Sequence, residues 1–95
     1  EVGNIDLDSY VVFQNYPNPF NPATKIRFYL PVPGLVKVDV FNILGQRVAR
    51  LVNDELAAGI QEIDFAGNRL ASGMYIYTVE VKDKFFEAKK MLLVK

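Results

Sequence analysis

This chain of 95 residues has no cysteine, no histidine and no tryptophan. Without cysteine there is no disulfide framework, no thiolate metal site and no thiol nucleophile. Without histidine the commonest general base and metal ligand is gone, and Ser/His and Cys/His catalytic pairs are impossible. Net charge is also lacking: eleven Lys and Arg balance eleven Asp and Glu. Nothing global therefore points to nucleic acid or to an anionic membrane. No apolar run approaches the roughly 20 residues of a membrane span. The chain starts at Glu1 with no basic-then-apolar leader. It reads as a mature or excised C-terminal piece of a longer protein.

What is present is a folding sequence. Hydrophobic residues make up 51% and aromatics 13%, enough for a core without metal or disulfide staples. Seven Phe and five Tyr favour strands. Residues 1–9, with Asp6 and Asp8, look like the end of a linker, leaving residues 10–95 as one domain. Tyr10 to Phe13 predicts a short first strand. Pro17, Pro19 and Pro22 withhold ladder donors and are expected to hold the chain extended, with Asn15, Asn18 and Asn21 as turn formers.

Thr24 to Leu30 alternates, with Ile26, Phe28 and Leu30 inward. Leu35 to Asn42 follows, with Val36, Val38 and Val40 inward against Lys37 and Asp39. A turn at Gly45–Gln46 leads to a strand over 47–52, where Val48, Leu51 and Val52 do not share one face. Residues 53–59 read as a loop or a single helical turn. Ile60 to Phe65 is a strand with Ile63 and Phe65 inward, and 67–73 is a loop. Met74 to Val81 lines up Tyr75, Tyr77, Val79 and Val81; a connection at 82–84 and a strand over 85–94 close the domain. About seven strands with regular turn signals predict an all-β, immunoglobulin-like antiparallel β-sandwich. Leu70-x-x-Gly73-x-Tyr75 matches a tyrosine corner, in which the phenol returns to upstream backbone.

Catalytic chemistry finds little support. Ser72 sits beside a glycine and reads as a turn residue; the glycines form no phosphate loop. Asp39, Glu62, Asp64, Glu80 and Glu87 alternate with core residues and read as solvated charge. No calcium-loop spacing is present, and no cofactor is implied. On the last strand, Lys84, Lys89, Lys90 and Lys95 have two readings. They protect an edge strand from aggregation, or they mark a strand that a receptor recognises. Phe85, Phe86, Met91, Leu92 and Leu93 between them read as mostly core. Asn15 to Pro22 reads as a rigid crossing that packs Tyr16 and Phe20 onto the sandwich.

Several motifs occur in order: Asn15-Tyr16-Pro17-Asn18-Pro19-Phe20-Asn21-Pro22-x-Thr24-x-Ile26, Val40-Phe41-Asn42-x-x-Gly45-Gln46-x-Val48, Gly59, Leu70-Ala71-Ser72-Gly73-x-Tyr75-x-Tyr77 and Lys89-Lys90-Met91. In this order the chain resembles the C-terminal sorting domain of the type IX (Por) secretion system of Bacteroidetes. The resemblance covers 13–95. It implies a β-sandwich that acts as a non-catalytic export signal for an upstream cargo domain. Its partners would be the translocon and a sorting-domain receptor. It would pass through the periplasm, then reach the cell surface or the medium, cleaved or retained. The resemblance places the signal at Gly73, Tyr75, Lys89, Lys90 and Lys95.

Two other readings share features. The Ig-like domain of flagellar hook-capping proteins has similar Asn-Pro and Asn-x-x-Gly-Gln segments, which would make this an assembly module. A carbohydrate-binding accessory module would need exposed aromatics on a flat face, with Tyr29 and Phe41 as candidates. No reading needs nucleic acid or a membrane-spanning segment.

Overall fold

The computed structural model describes residues 6–95. It has seven strands and, among the described residues, no helix: β1 Val11–Val12, β2 Ala23–Leu30, β3 Gly34–Phe41, β4 Arg47–Leu56, β5 Gly59–Ala66, β6 Gly73–Val81 and β7 Phe85–Leu93. They form two antiparallel sheets, ordered β1-β2-β5 and β4-β3-β6-β7. This is the predicted β-sandwich. The core lies between the sheets and follows the alternation. Ile26, Phe28, Leu30, Val36, Val38, Val40, Tyr77, Val79 and Val81 are at most 1% exposed. Phe65 and Tyr75 are also buried, and Ile63 packs against the same cluster. Each such side chain contributes roughly 1.5–3 kcal/mol by leaving water.

Three expectations fail here, and one irregularity finds its cause. The segment 53–59 is neither loop nor helical turn up to Leu56, because β4 runs on beside β3 to pair Gly34 with Leu56. The broken alternation of β4 comes from two register shifts against β3, between Val38 and Asp39 and between Val40 and Phe41. Each inserts one extra residue, Leu51 and Val48, so the faces exchange twice along the strand. Asp39 is not solvated. It is 8% exposed and takes a two-pronged contact from Arg50, whose Nε and Nη2 donate at 2.9 and 3.2 Å. That hydrogen bond raises the Arg50 pKa further. Phe86 is 63% exposed on the outer face of β7.

The first strand is shorter than predicted, and Tyr10 instead stacks on Phe85 with ring centroids 5.0 Å apart. Of the expected linker, residues 1–5 lie outside the described ones. Asp6 to Ser9 form a turn tied by Ser9 Oγ to Asp6 Oδ2 at 3.0 Å. Tyr29 Oη donates to the Leu7 carbonyl at 3.0 Å and fixes that turn to the sandwich.

The connections divide between two poles. The chain enters at one pole, shared by the links 31–33, 57–58 and 82–84. The opposite pole holds the segment 13–22, the β3–β4 turn at 42–46, the loop 67–72 and the end of β7.

Candidate functional site

Most motif residues gather at the far pole, and the structure shows what they do there. The Asn-Pro segment does not run extended. Tyr16 pairs antiparallel with Lys25, so residues 17–24 form a closed loop. The Tyr16–Pro17, Asn18–Pro19 and Asn21–Pro22 peptide bonds are cis. Phe20 is 1% exposed, as expected, and meets Phe65 edge-on with centroids 6.1 Å apart. Tyr16, by contrast, is 80% exposed: the backbone pairing with Lys25 turns its ring outward.

Asn15 is the hub of this loop and is 2% exposed. Its backbone N–H donates to Tyr77 Oη at 2.9 Å. Its Nδ2 donates to the Pro17 carbonyl and to Thr24 Oγ1 at 3.1 and 3.0 Å, and its Oδ1 accepts from Gln14. Tyr77 Oη in turn donates to the Phe13 carbonyl at 2.7 Å. A central tyrosine of the four-stranded sheet thus holds the chain that joins β1 to β2 in the other sheet. Burial pushes the Tyr77 phenol up to about 12. Every buried polar group here is partnered, which is what an apolar surrounding requires. In the sequence Asn15 reads only as a turn former; the contacts that bury it come from distant segments.

The loop also covers half of the last strand's edge. Phe20 N donates to the Leu92 carbonyl at 2.9 Å, Val94 N to the Phe20 carbonyl at 3.0 Å, and Leu92 N to Asn18 Oδ1 at 3.0 Å. Gln14 reaches the Lys90 carbonyl at 2.7 Å. A foreign strand could therefore add to β7 only along Phe86–Ala88.

Gly73 and Tyr75 lie together beside the chain end. Gly73 adopts φ 150°, a conformation that side chains resist, though open space surrounds it. Tyr75 Oη donates to the Ala71 carbonyl at 2.7 Å, completing the predicted tyrosine corner. Lys95 joins the same loop: its N–H donates to Ser72 Oγ at 3.0 Å and its Nζ to the Asn68 carbonyl at 2.7 Å. The structure does not unite the three lysines. Lys89 faces inward and pairs with Glu87 at 3.3 Å, while Lys90 lies on the outer face opposite Ile76.

The charges are segregated between the poles. Residues 12–24, 40–49, 65–79 and 88–95 contain no Asp or Glu. At this pole Arg47, Arg69, Lys90 and Lys95 are exposed and make no ion pair with any described carboxylate. The opposite pole carries Asp6, Asp8, Asp54, Glu55, Asp83 and Glu87 against Lys82 and Lys84. Zero net charge conceals this polarity, because it is a sum over sequence segments that only the fold sorts.

The β3–β4 turn is equally built. Asn42 Oδ1 accepts from Leu44 N at 2.9 Å and Gln46 N at 3.1 Å, and Asn42 Nδ2 donates to Gln46 Oε1 at 2.9 Å. Gly45 takes φ 81°, in the left-handed region. Ile43 and Leu44 at the apex are 73% and 78% exposed. An Ile-Leu pair between turn-forming Asn and Gly was the signal that sequence reading passed over.

An open hollow of about 540 Å³ lies beside Tyr16 and Pro17, lined by Ala23, Thr24, Phe65 and Ala66, with the Lys25–Asp64 pair at its rim. It lacks the converging polar groups of a small-molecule site. No group of three or more His, Cys, Asp or Glu among the described residues could hold a metal ion. Tyr29 and Phe41 lie on different sheets and form no common platform.

A family model described as the secretion system C-terminal sorting domain matches residues 14–95. No curated protein matches the chain. Among solved structures, PorZ is similar, with 18% identity and a TM-score of 0.62 over 88% of this chain. PorZ is described as an essential bacterial surface component of the type-IX secretion system of Porphyromonas gingivalis, and this chain spans 11% of its length. That likeness supports the fold. An alkylpurine DNA glycosylase of Pseudomonas fluorescens, AlkC, aligns at 18% identity over 90% of this chain and 30% of its own, with a TM-score of 0.46.

Proposed function

We propose an export function for this chain, which belongs to the secretion system C-terminal sorting domain family, the type IX family its motifs resemble. Membership makes it a sorting signal that acts with the secretion system and implies export to the cell surface or extracellular space. Beyond that, we assign it the passage of an attached cargo through the outer membrane, after transit of the periplasm. Residues 1–9 would serve as the linker to that cargo and residues 10–95 as the signal. The domain would do this without catalysis; the sorting-signal family is in general non-catalytic.

The observation that carries the reading is the far pole. Gly73, Tyr75 and Lys95 meet there, Lys90 lies on its flank, and no side-chain carboxylate offsets the cations. An unneutralised cationic face steers a complex with an anionic partner. Its placement opposite the entering chain leaves it free when a cargo is attached. Gly73 and Tyr75 would act by fixing the loop 67–72 to which Lys95 is bound. Lys89, paired with Glu87, would act on the strand and not on the receptor. The capped edge at Leu92 and Val94 argues against strand addition over the end of β7.

The test is a reporter fused upstream of this chain in a bacterium with a type IX system. Surface or extracellular reporter with the domain, and periplasmic reporter without it, is expected. Delivery that is the same with and without the domain would reject the export role. Lys90→Gln with Lys95→Gln should retain folded reporter in the periplasm.

A further inference from the structure

The Ile43–Leu44 apex belongs neither to the core nor to the terminal strand, and turn chemistry alone would place polar residues there. Two adjacent aliphatic side chains, 73% and 78% exposed, stand out into water on a turn that Asn42 holds with three side-chain hydrogen bonds. Apolar surface continues down the outer face of the four-stranded sheet. Phe41 pairs with Ile76 there, and Met74, 40% exposed, pairs with Leu92. Arg47 lies beside the apex opposite Phe41, and Lys90 lies beyond Ile76.

We infer that Ile43 and Leu44 are the apolar anchor by which the far pole docks on a receptor protein. The receptor surface would offer an apolar groove for the two side chains and an acidic rim for Arg47 and Lys90. This rests on the export reading above and adds to it a site outside the terminal hairpin. The arrangement has the anatomy of a protein interface, with an apolar centre and a charged margin. The charge complement must come from the partner, since residues 40–49 and 65–79 contain no carboxylate. Rigidity selects protein over lipid. A fluid bilayer needs no fixed tip geometry, whereas a groove gains from an anchor already held in its bound shape. A second copy of the chain is a poorer occupant. Its acidic residues lie at the entry pole, so only a head-to-tail contact would bring them to this one, and such contacts make rings or open filaments rather than the common two-fold dimer.

The same reporter fusion tests the anchor. Ile43→Thr with Leu44→Gln replaces the tip without touching the core. Reporter delivery should fall about tenfold or more, the loss expected for a central anchor, with the domain still folded by its thermal transition. Ile43→Val with Leu44→Met should keep delivery, because the tip stays apolar. Val32→Thr, at an exposed residue of the opposite pole, should also leave it unchanged. If the double variant unfolds, Ile43→Thr alone should show the same direction. Arg47→Glu should lower delivery as well. Wild-type delivery by the folded tip variants would overturn the anchor, and wild-type delivery by Arg47→Glu would overturn the acidic rim. Failure of the unaltered domain to deliver the reporter would instead fail the export reading. Two binding results would overturn the receptor protein. One is tip-dependent sedimentation of the purified domain with vesicles containing phosphatidylglycerol. The other is tip-dependent self-association of the purified domain.

Discussion

Where Asp6 to Tyr10 enter the sandwich, the strands are joined by short links and acidic side chains predominate. At the opposite pole the links are longer, side-chain hydrogen bonds hold them, and Asp and Glu are absent over 12–24, 40–49, 65–79 and 88–95. Both poles end the same two sheets, so the difference is not demanded by the fold. It separates two kinds of residue that a motif mixes together. At the far pole Asn15, Thr24, Asn42, Gly73 and Tyr75 are struts. They build loops, and their side chains or backbones are committed inward or to the loop itself. Ile43, Leu44, Arg47, Arg69, Lys90 and Lys95 are what that pole presents. A motif read as a signal is thus largely the scaffold of the signal.

The comparison can be broken from the inside first. Phe20→Ala removes a ring that is 1% exposed between the Asn-Pro loop and Phe65. We expect a loss of about 4 kcal/mol by denaturant unfolding, the usual cost of a buried Phe. Amide exchange should quicken most at Phe20 and Val94, whose N–H groups hold the loop to β7, and least at the entry pole.

Tyr77→Phe should cost about 2 kcal/mol, because it leaves Asn15 N–H and the Phe13 carbonyl buried without a partner. Its pH dependence has a definite sign. The folded protein holds the Tyr77 proton more tightly than the unfolded chain, with a pKa of about 12 against 10.0. That contribution is complete below about pH 10 and is lost as pH rises towards 12. The gap in stability between wild type and Tyr77→Phe should therefore narrow over that interval. A gap that widens would contradict the buried, protonated phenol.

Legibility in the sequence followed the same division. The strands, their inward faces, the hairpin at 82–84 and the tyrosine corner all follow from period-two alternation and turn chemistry, which are local. The path of β4 was hidden because Val48 and Leu51 are bulge residues, and a bulge is decided by the partner strand. Asp39 was misread because a charge at an outward position looks solvated until the Arg50 that covers it is placed. Tyr16, Phe86 and the Asn15 hub depend on contacts between distant segments. The sorting motifs were recognisable as an ordered pattern, but which of their residues are struts was not, since a strut is defined by its partner.

A finer comparison uses one glycine from each pole. Gly73 and Gly59 take φ 150° and 113°, and a Cβ at either would meet no atom within 4 Å. Alanine at each should cost about 1–2 kcal/mol through backbone strain alone. Thermal unfolding should rank the two as near equals. Only Gly73→Ala should also lower reporter delivery, because it lies between Tyr75 and the loop that holds Lys95. Equal loss of delivery from Gly59→Ala would show that stability, not the far pole, sets export.

Charge reversals should barely alter stability, since exposed charges away from buried partners stay within about 0.5 kcal/mol. They therefore separate the two poles by charge alone. Delivery of one reporter is compared for Arg69→Glu with Lys90→Glu at the far pole and Asp54→Lys with Glu55→Lys at the entry pole. Both variants should unfold within a few degrees of wild type. The far-pole variant should leave folded reporter in the periplasm, while the entry-pole variant should deliver it as wild type does. Equal delivery by the two, or loss only from the entry-pole variant, would contradict a far-pole signal.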